Sequence, residues 1–281
     1  MTDKPATIAV PLTQLGLIEV RGADAAAFLQ GQLSNDVRAV QPARAQLSSY
    51  NSAKGRMLAV LHVLRTADDA FLLEVHRGVL DAVLKRLRMF VLRSKVTLTE
   101  ADRVLHGVAG PGAADALGAL GLPAPAAPLE CAAAADAIVM RRLGTTPRYS
   151  LITRAEAGVG ARLGAHAAAG EPLDWQRLDI EAGVPTIYPP TQDRFVAQMC
   201  NLDALGGISF DKGCYTGQEI IARVHYRGAV KRHMEGRRLD GPPPAPGTRL
   251  PDGEVVDAVA AAGGAGSVAL VVVSAPGGPT T

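Results

Sequence analysis

Phe210-Asp211-Lys212-Gly213-Cys214-Tyr215-Thr216-Gly217-Gln218-Glu219 sets a thiol between a lysine and the predicted start of a helix. The thiolate is the form of cysteine that attacks electrophiles and binds metals, and a neighbouring cation or the free N–H groups of a helix N-terminus favour it. Cys214 is therefore the candidate reactive group, with Lys212 as its candidate cationic neighbour. The T-x-x-E spacing of Thr216 and Glu219 predicts a capping box, with Thr216 as N-cap and a helix beginning at Gly217. Ile220, Ile221 and Val224 supply its apolar face, and Gly228 ends it.

A basic strip follows: Arg223, His225, Arg227, Lys231, Arg232, His233, Arg237 and Arg238, interrupted by Glu235. Such a strip suits a string of carboxylates or nucleic-acid phosphates, or is simply a solvated charged face. Only Tyr215 and Tyr226 accompany it, too few aromatics for a base-stacking platform. The histidines form no H-x-x-H or H-E-x-x-H pattern, so no mononuclear metal site is expected. Three cysteines, Cys131, Cys200 and Cys214, without a C-x-x-C pair indicate neither a disulfide framework nor a standard zinc site. Cys200 reads as a buried thiol and Cys131 as part of a loop.

These residues need a frame, and the chain of 281 residues is long enough for two or three packed units. Leu15 to Val20 reads as a strand, and Asp24 is placed to cap a helix through Ala27 and Phe28. Leu58 to Leu64 and Ala70 to Val75 form a hairpin around Asp68-Asp69. A helix follows with Leu80, Val83, Leu84, Leu87 and Val91 inward, and Lys85, Arg86 and Arg88 on a solvated face. Residues 109–137, rich in Ala, Gly and Pro, read as an irregular connection. Strands near Ala137 to Leu143 and Arg148 to Thr153 precede a helix over 154–169. A second helix opens at Pro172 and closes at Gly183 and Pro185.

The order of elements predicts an α+β fold. Residues 1–232 form the main region, and 233–281, with glycine-broken Val and Leu runs, form a small β unit. With 29 basic and 27 acidic residues, the net charge of +2 gives no global case for nucleic-acid or membrane binding. The N-terminus lacks a secretory pattern, and the apolar Val255 to Val273 stretch is broken by Asp257 and glycines, so a soluble, cytoplasmic protein is expected.

Lys212-Gly213-Cys214-Tyr215-Thr216-Gly217-Gln218-Glu219, continued by Arg223 and Tyr226-Arg227-Gly228, resembles the signature of the YgfZ family. Further matches are Phe28-Leu29-Gln30-Gly31-Gln32-Leu33-Ser34-Asn35-Asp36-Val37, Ser52-Ala53-Lys54-Gly55-Arg56-Met57 and Asp179-Ile180-Glu181-Ala182-Gly183-Val184-Pro185. The resemblance implies an aminomethyltransferase-like fold, related to the glycine-cleavage enzymes, around a central folate channel with a C-terminal β-barrel-like unit. It implies tetrahydrofolate or a related reduced folate as cofactor. Iron–sulfur client enzymes or assembly factors would be partners, and tRNA modification a downstream process.

On that resemblance Glu181 falls at the pterin-binding position, where a carboxylate can accept two hydrogen bonds from ring donors. Tyr215, Gln218, Arg223 and Arg227 complete the implied folate contacts. In the aminomethyltransferases the stretch comparable to Asn51–Ala59 resembles a glycine turn followed by an acidic pair. Leu58 and Ala59 stand where that pair would fall, so no general acid or base is present at those positions for one-carbon transfer. The expected role is accordingly a folate-binding accessory protein. A folate-dependent one-carbon transferase and a tRNA-binding module are the alternatives.

Overall fold

The computed structural model describes residues 6–134, 137–228 and 230–274. Strands β1 (Ile8–Pro11) and β2 (Leu15–Arg21) follow one another but enter different sheets. Helix α1 (Ala25–Gln30), β3 (Gln46–Asn51), β4 (Met57–Ala67), β5 (Ala70–His76), helix α2 (Arg77–Met89) and β6 (Thr97–Glu100) come next. With β2 they build a five-stranded antiparallel sheet ordered β3-β4-β5-β2-β6. The apolar side of α2, Val79, Leu80, Val83, Leu84 and Leu87, packs with Ile18, Val20, Leu61 and Phe71 into its core.

The next stretch comprises β7 (Val104–Ala109), helix α3 (Ala113–Ala119), β8 (Cys131–Ala134), β9 (Ala137–Arg141), β10 (Arg148–Thr153), helix α4 (Val159–Leu163) and β11 (Ala168–Ala169). Its sheet is ordered β11-β1-β7-β10-β9-β8. Helix α5 (Pro172–Glu181) then inserts Trp175 into the cluster joining the two sheets, against Leu12, Leu17, Leu72, Leu105 and Met140. Gly107 on β7 is bare where this indole lies; a Cβ there would meet the ring at 2.5 Å.

After helix α6 (Gln218–Arg227), strands β12 (Arg232–Leu239), β13 (Arg249–Leu250), β14 (Gly253–Ala260) and β15 (Ser267–Ser274) form a four-stranded sheet ordered β12-β15-β14-β13. It is a half-barrel, and the expected α+β frame is the one observed. The closing Pro276–Thr281 segment lies outside the described residues.

Several local expectations are corrected. Residues 109–137 hold helix α3 and strand β8, so Cys131 sits in a strand and pairs opposite Met140. The helix expected over 154–169 is a 3-10 turn, the five-residue α4 and the short β11, interrupted at Gly158 with φ 58°. Asp24 stands at the N-cap position of α1 as expected, but its side chain makes no capping bond there; its carboxylate accepts from the Lys95 amide at 2.7 Å, a contact from a distant part of the chain. On α2, Lys85 and Arg88 are exposed as expected, with Arg88 also donating to the Leu98 carbonyl, whereas Arg86 is half-buried.

Candidate functional site

Helix α6 starts at Gln218, one residue later than expected, and Thr216 does not cap it. The N-cap is Gly217, with φ 83° and ψ 2°, a left-handed conformation that strongly favours glycine. Glu219 does not reach back to an N-cap amide but pairs with Arg223 one turn on, at 3.2 Å. Long-range packing is the physical reason. A Cβ on Gly217 would stand 2.5 Å from the Ser52 carbonyl oxygen and 2.8 Å from the Gly55 Cα. The glycine turn of Ser52–Arg56 thus presses on the start of α6, and capping geometry gives way to that contact.

Lys212 is buried, and its ammonium donates to the carbonyls of Gln30, Leu33 and Asn35 at 2.8, 2.6 and 2.8 Å. An ammonium has three donors, so all of them are used on the α1–β3 segment and none is left for the thiol. The lysine expected as a free cation beside Cys214 is instead a tie holding the loop to the segment after α1. It also lies 4.9 Å from the centre of the Tyr215 ring. Burial pushes the Lys212 ammonium down to about 8 and the Tyr215 phenol upward.

Further bonds make the same junction. Ser34 Oγ donates to the Gly207 carbonyl and Asn35 Nδ2 to that of Gly206, while the Ser209 and Thr216 amides donate to the carbonyls of Ser34 and Gly31. Ser52 Oγ donates to Asp193, and Gln198 Nε2 to the Ile221 carbonyl. Three of the four sequence segments singled out above therefore meet around one loop. Cys214 itself is exposed on that loop, and Gly213 beside it has open space around it. The other thiols differ: Cys200 is fully buried, and burial raises both it and Cys131, the latter to about 11.

The fourth segment packs on the same core without touching the loop through polar atoms. Ile180, Tyr215 and Ile221 share one apolar cluster. No hydrogen bond or ion pair among the described residues joins Glu181, exposed at the end of α5, to Tyr215, Gln218, Arg223 or Arg227. Asp179, two residues earlier, is paired with the buried Arg148 at 2.8 Å. Beside it Glu74 accepts from Arg142 at 2.5 Å and faces His62 Nδ1 at 3.2 Å. Burial alone would raise Glu74, but the Arg142 guanidinium and His62 hold it at about 2; burial and the same arginine push His62 down.

Sequence reasoning missed this buried ionic cluster, because its members come from β4, β5, the end of β9, β10 and α5. It also missed a cavity of about 300 Å³ lined by Tyr50, Leu58, Arg86 and Gln192. Tyr50 Oη and Arg86 Nε are buried there without hydrogen-bond partners. The basic strip is divided by the fold. Arg237 pairs with Glu235 and Asp252, and Arg232 with Glu254, while Arg227 stands exposed at the end of α6. The aromatics are richer than the local sequence suggests, because Phe210 stacks on His225 at 3.6 Å with Tyr226 edge-on to both.

Residues 6–129 match the family model described as the GCVT N-terminal domain. The chain is 38% identical over 228 residues to the tRNA-modifying protein YgfZ of Sodalis glossinidius (strain morsitans), spanning 80% of this chain and 69% of that protein. The chain belongs to the YgfZ family. Its counterpart in Edwardsiella ictaluri (strain 93-146) is 39% identical over 80% of this chain and 70% of that protein. Among solved structures, the glycine cleavage system aminomethyltransferase T from Bartonella henselae superposes with a TM-score of 0.79 over 96% of this chain and 79% of that one. Identity there is 19%, so this likeness establishes the fold alone. For the YgfZ family member described here, the frame is thus aminomethyltransferase-like. Leu58 is half-buried on it and Ala59 fully buried. No helix among the described residues is long and apolar enough to cross a membrane.

Proposed function

We propose that this protein is a cytosolic accessory factor that binds tetrahydrofolate or a related reduced folate. In that role it supports assembly or repair of iron–sulfur clusters in client enzymes, including tRNA-modifying ones. The observation that carries this reading is an exposed Cys214 on a loop held by the buried Lys212 tie, in a transferase-like frame with Leu58 and Ala59 at the positions of the acidic pair. A thiol in a frame where Leu58 and Ala59 supply no general acid or base suits transient handling of a group better than turnover of a carbon unit.

The donor set fits a folate. Glu181 offers an exposed carboxylate to the aminopyrimidine donors, and Arg223 and Arg227 offer cations to the glutamate tail. None of these residues lines the cavity beside Leu58, and the space of about 30 Å³ beneath His62 and Asp179 holds a water or two and no ring. When bound, a reduced folate supplies a carrier for one-carbon units.

Two experiments test this. In cells lacking the native protein, Cys214→Ala is expected to lose client-enzyme activity, and full retention would sink the role of the thiol. Titration of the purified protein with tetrahydrofolate is expected to show binding that Glu181→Gln weakens by about tenfold, roughly 1.4 kcal/mol; unchanged affinity removes Glu181 from the site.

A second reading, RNA contact at this surface, is favoured by the Phe210–His225–Tyr226 stack beside Arg223 and Arg227. It predicts salt-sensitive tRNA affinity that survives Cys214→Ala.

A further inference from the structure

A cavity of about 540 Å³ opens between the turn after β1, the start of β7 and helix α4, with Arg77 at its rim. That volume lies in the range that holds small organic ligands. Its walls are largely apolar, formed by Leu12, Leu15, Leu105 and Val159, and Arg77, Arg103 and His106 bring polar groups to it. Arg77 is neutralised by Glu100. Arg103 is half-buried and belongs to no ion pair among the described residues. His106 Nδ1 is buried without a hydrogen-bond partner, and burial pushes the imidazole down. Gly160 on α4 accommodates the ring, since a Cβ there would stand 2.5 Å from Nε2 and 3.0 Å from Cδ2.

The His106 ring lines the cavity and can carry its N–H on Nε2, the nitrogen not among the sealed atoms, where a ligand oxygen would accept it. The single unneutralised cation sets the charge of that ligand at minus one, and the walls call for an apolar body. We propose that this cavity binds a small organic monocarboxylate, with its carboxylate between Arg103 and His106 and its hydrocarbon body against Leu12, Leu105 and Val159. A guanidinium suits a carboxylate because it can donate two parallel bonds. None of the residues assigned to folate or to the thiol lines this cavity, and it shares only Leu15 with the small cavity beneath His62.

The test uses phenylacetate and hexanoate as probes and phenylacetamide as the neutral match. Each is titrated into the full chain while the His106 imidazole resonances, assigned with His106→Gln, are followed by NMR. The expected result is a saturable His106 shift with both acids, at least tenfold weaker with the amide and abolished by Arg103→Leu. Ala161→Trp, at an exposed position on the rim, is expected to block binding without disturbing the core, and tetrahydrofolate to leave it unchanged. The proposal is overturned by no saturable shift up to about 10 mM, where a Kd near 1 mM would be nearly saturated. Equal affinity for acid and amide, or displacement by folate, overturns it as well.

Discussion

Gly55 and Gly217 meet backbone to backbone. Both have positive φ, 67° and 83°, and a Cβ on Gly55 would stand 2.9 Å from the Gly217 carbonyl oxygen and 2.7 Å from the Ile220 Cβ. The Ser52–Arg56 turn is thus the buttress of the Cys214 loop. Gly217→Ala is expected to destabilise the fold by about 1–3 kcal/mol, from strain at positive φ and from displacement of the Ser52–Gly55 turn. The measurement is the urea midpoint at constant m-value. Client activity should fall in the same variant although Cys214 is present, and a variant of native stability and activity would refute the buttress.

Lys212 supports a second expectation. Lys212→Met keeps the length of the side chain but leaves the carbonyls of Gln30, Leu33 and Asn35 without their shared donor. Each buried acceptor left unsatisfied costs on the order of 1 kcal/mol or more. A loss of about 2–4 kcal/mol in chemical denaturation is expected. Because the ammonium donates all three hydrogens to carbonyls, the alkylation rate of Cys214 in the native state should respond to this variant only through loosening of the loop. A sharp fall in thiol reactivity with stability intact would instead make Lys212 a direct partner of the thiol.

A third expectation concerns the junction between the C-terminal sheet and α5. Asp257, fully buried at a β-bulge in β14, accepts from Gln176 at 2.6 Å and from the Tyr188 hydroxyl at 2.9 Å. Burial pushes its carboxyl up to about 7. The folded state therefore holds a proton that the unfolded chain releases near pH 4, so this residue lowers stability as pH rises from about 4 to about 7. Asp257→Asn keeps an acceptor for both donors and removes the titration. It is expected to be near neutral at pH 4 and stabilising by about 1–3 kcal/mol at pH 8, measured as parallel melts at the two pH values.

What was legible in the sequence divides along a physical line. Periodic elements such as the β4–β5 hairpin, α2 and α5 follow from local apolar patterning, although β4 runs three residues past Leu64 and Val91 falls beyond the end of α2 at Met89. Features decided by contacts across the chain were not legible. Thr216 and Glu219 have capping-box spacing, yet Gly55 presses Gly217 into a conformation that excludes it. Asp24 looks like a cap and is taken by the Lys95 amide. Lys212 looks like a companion of Cys214, but three carbonyls from residues 30–35 claim it. The motif segments announced a shared site, whereas the ionic cluster and the cavities beside Leu58 and His106 are assembled from residues distant in sequence and leave no local pattern.

The buried cluster yields the last prediction, on acid stability. Glu74 is held at about 2, below its ordinary value, so its contribution is full above about pH 4.5 and is lost as pH falls toward 2. His62 is pushed below its ordinary value, so the unfolded chain takes up a proton near pH 6.5 that the folded protein refuses, and stability begins to fall there. The two effects have the same sign and act in succession, giving a decline that starts below about pH 6.5 and steepens below about pH 4.5. Glu74→Gln removes the second stage but leaves Arg142 buried without its carboxylate, at a cost of about 3–5 kcal/mol at pH 7. His62→Gln keeps the Glu74–Arg142 pair and is expected to flatten only the decline between about pH 6.5 and 4.5. Unfolding free energies of both variants and the parent across pH 3 to 8 separate the stages, and a decline unchanged by either substitution would place the acid sensitivity elsewhere.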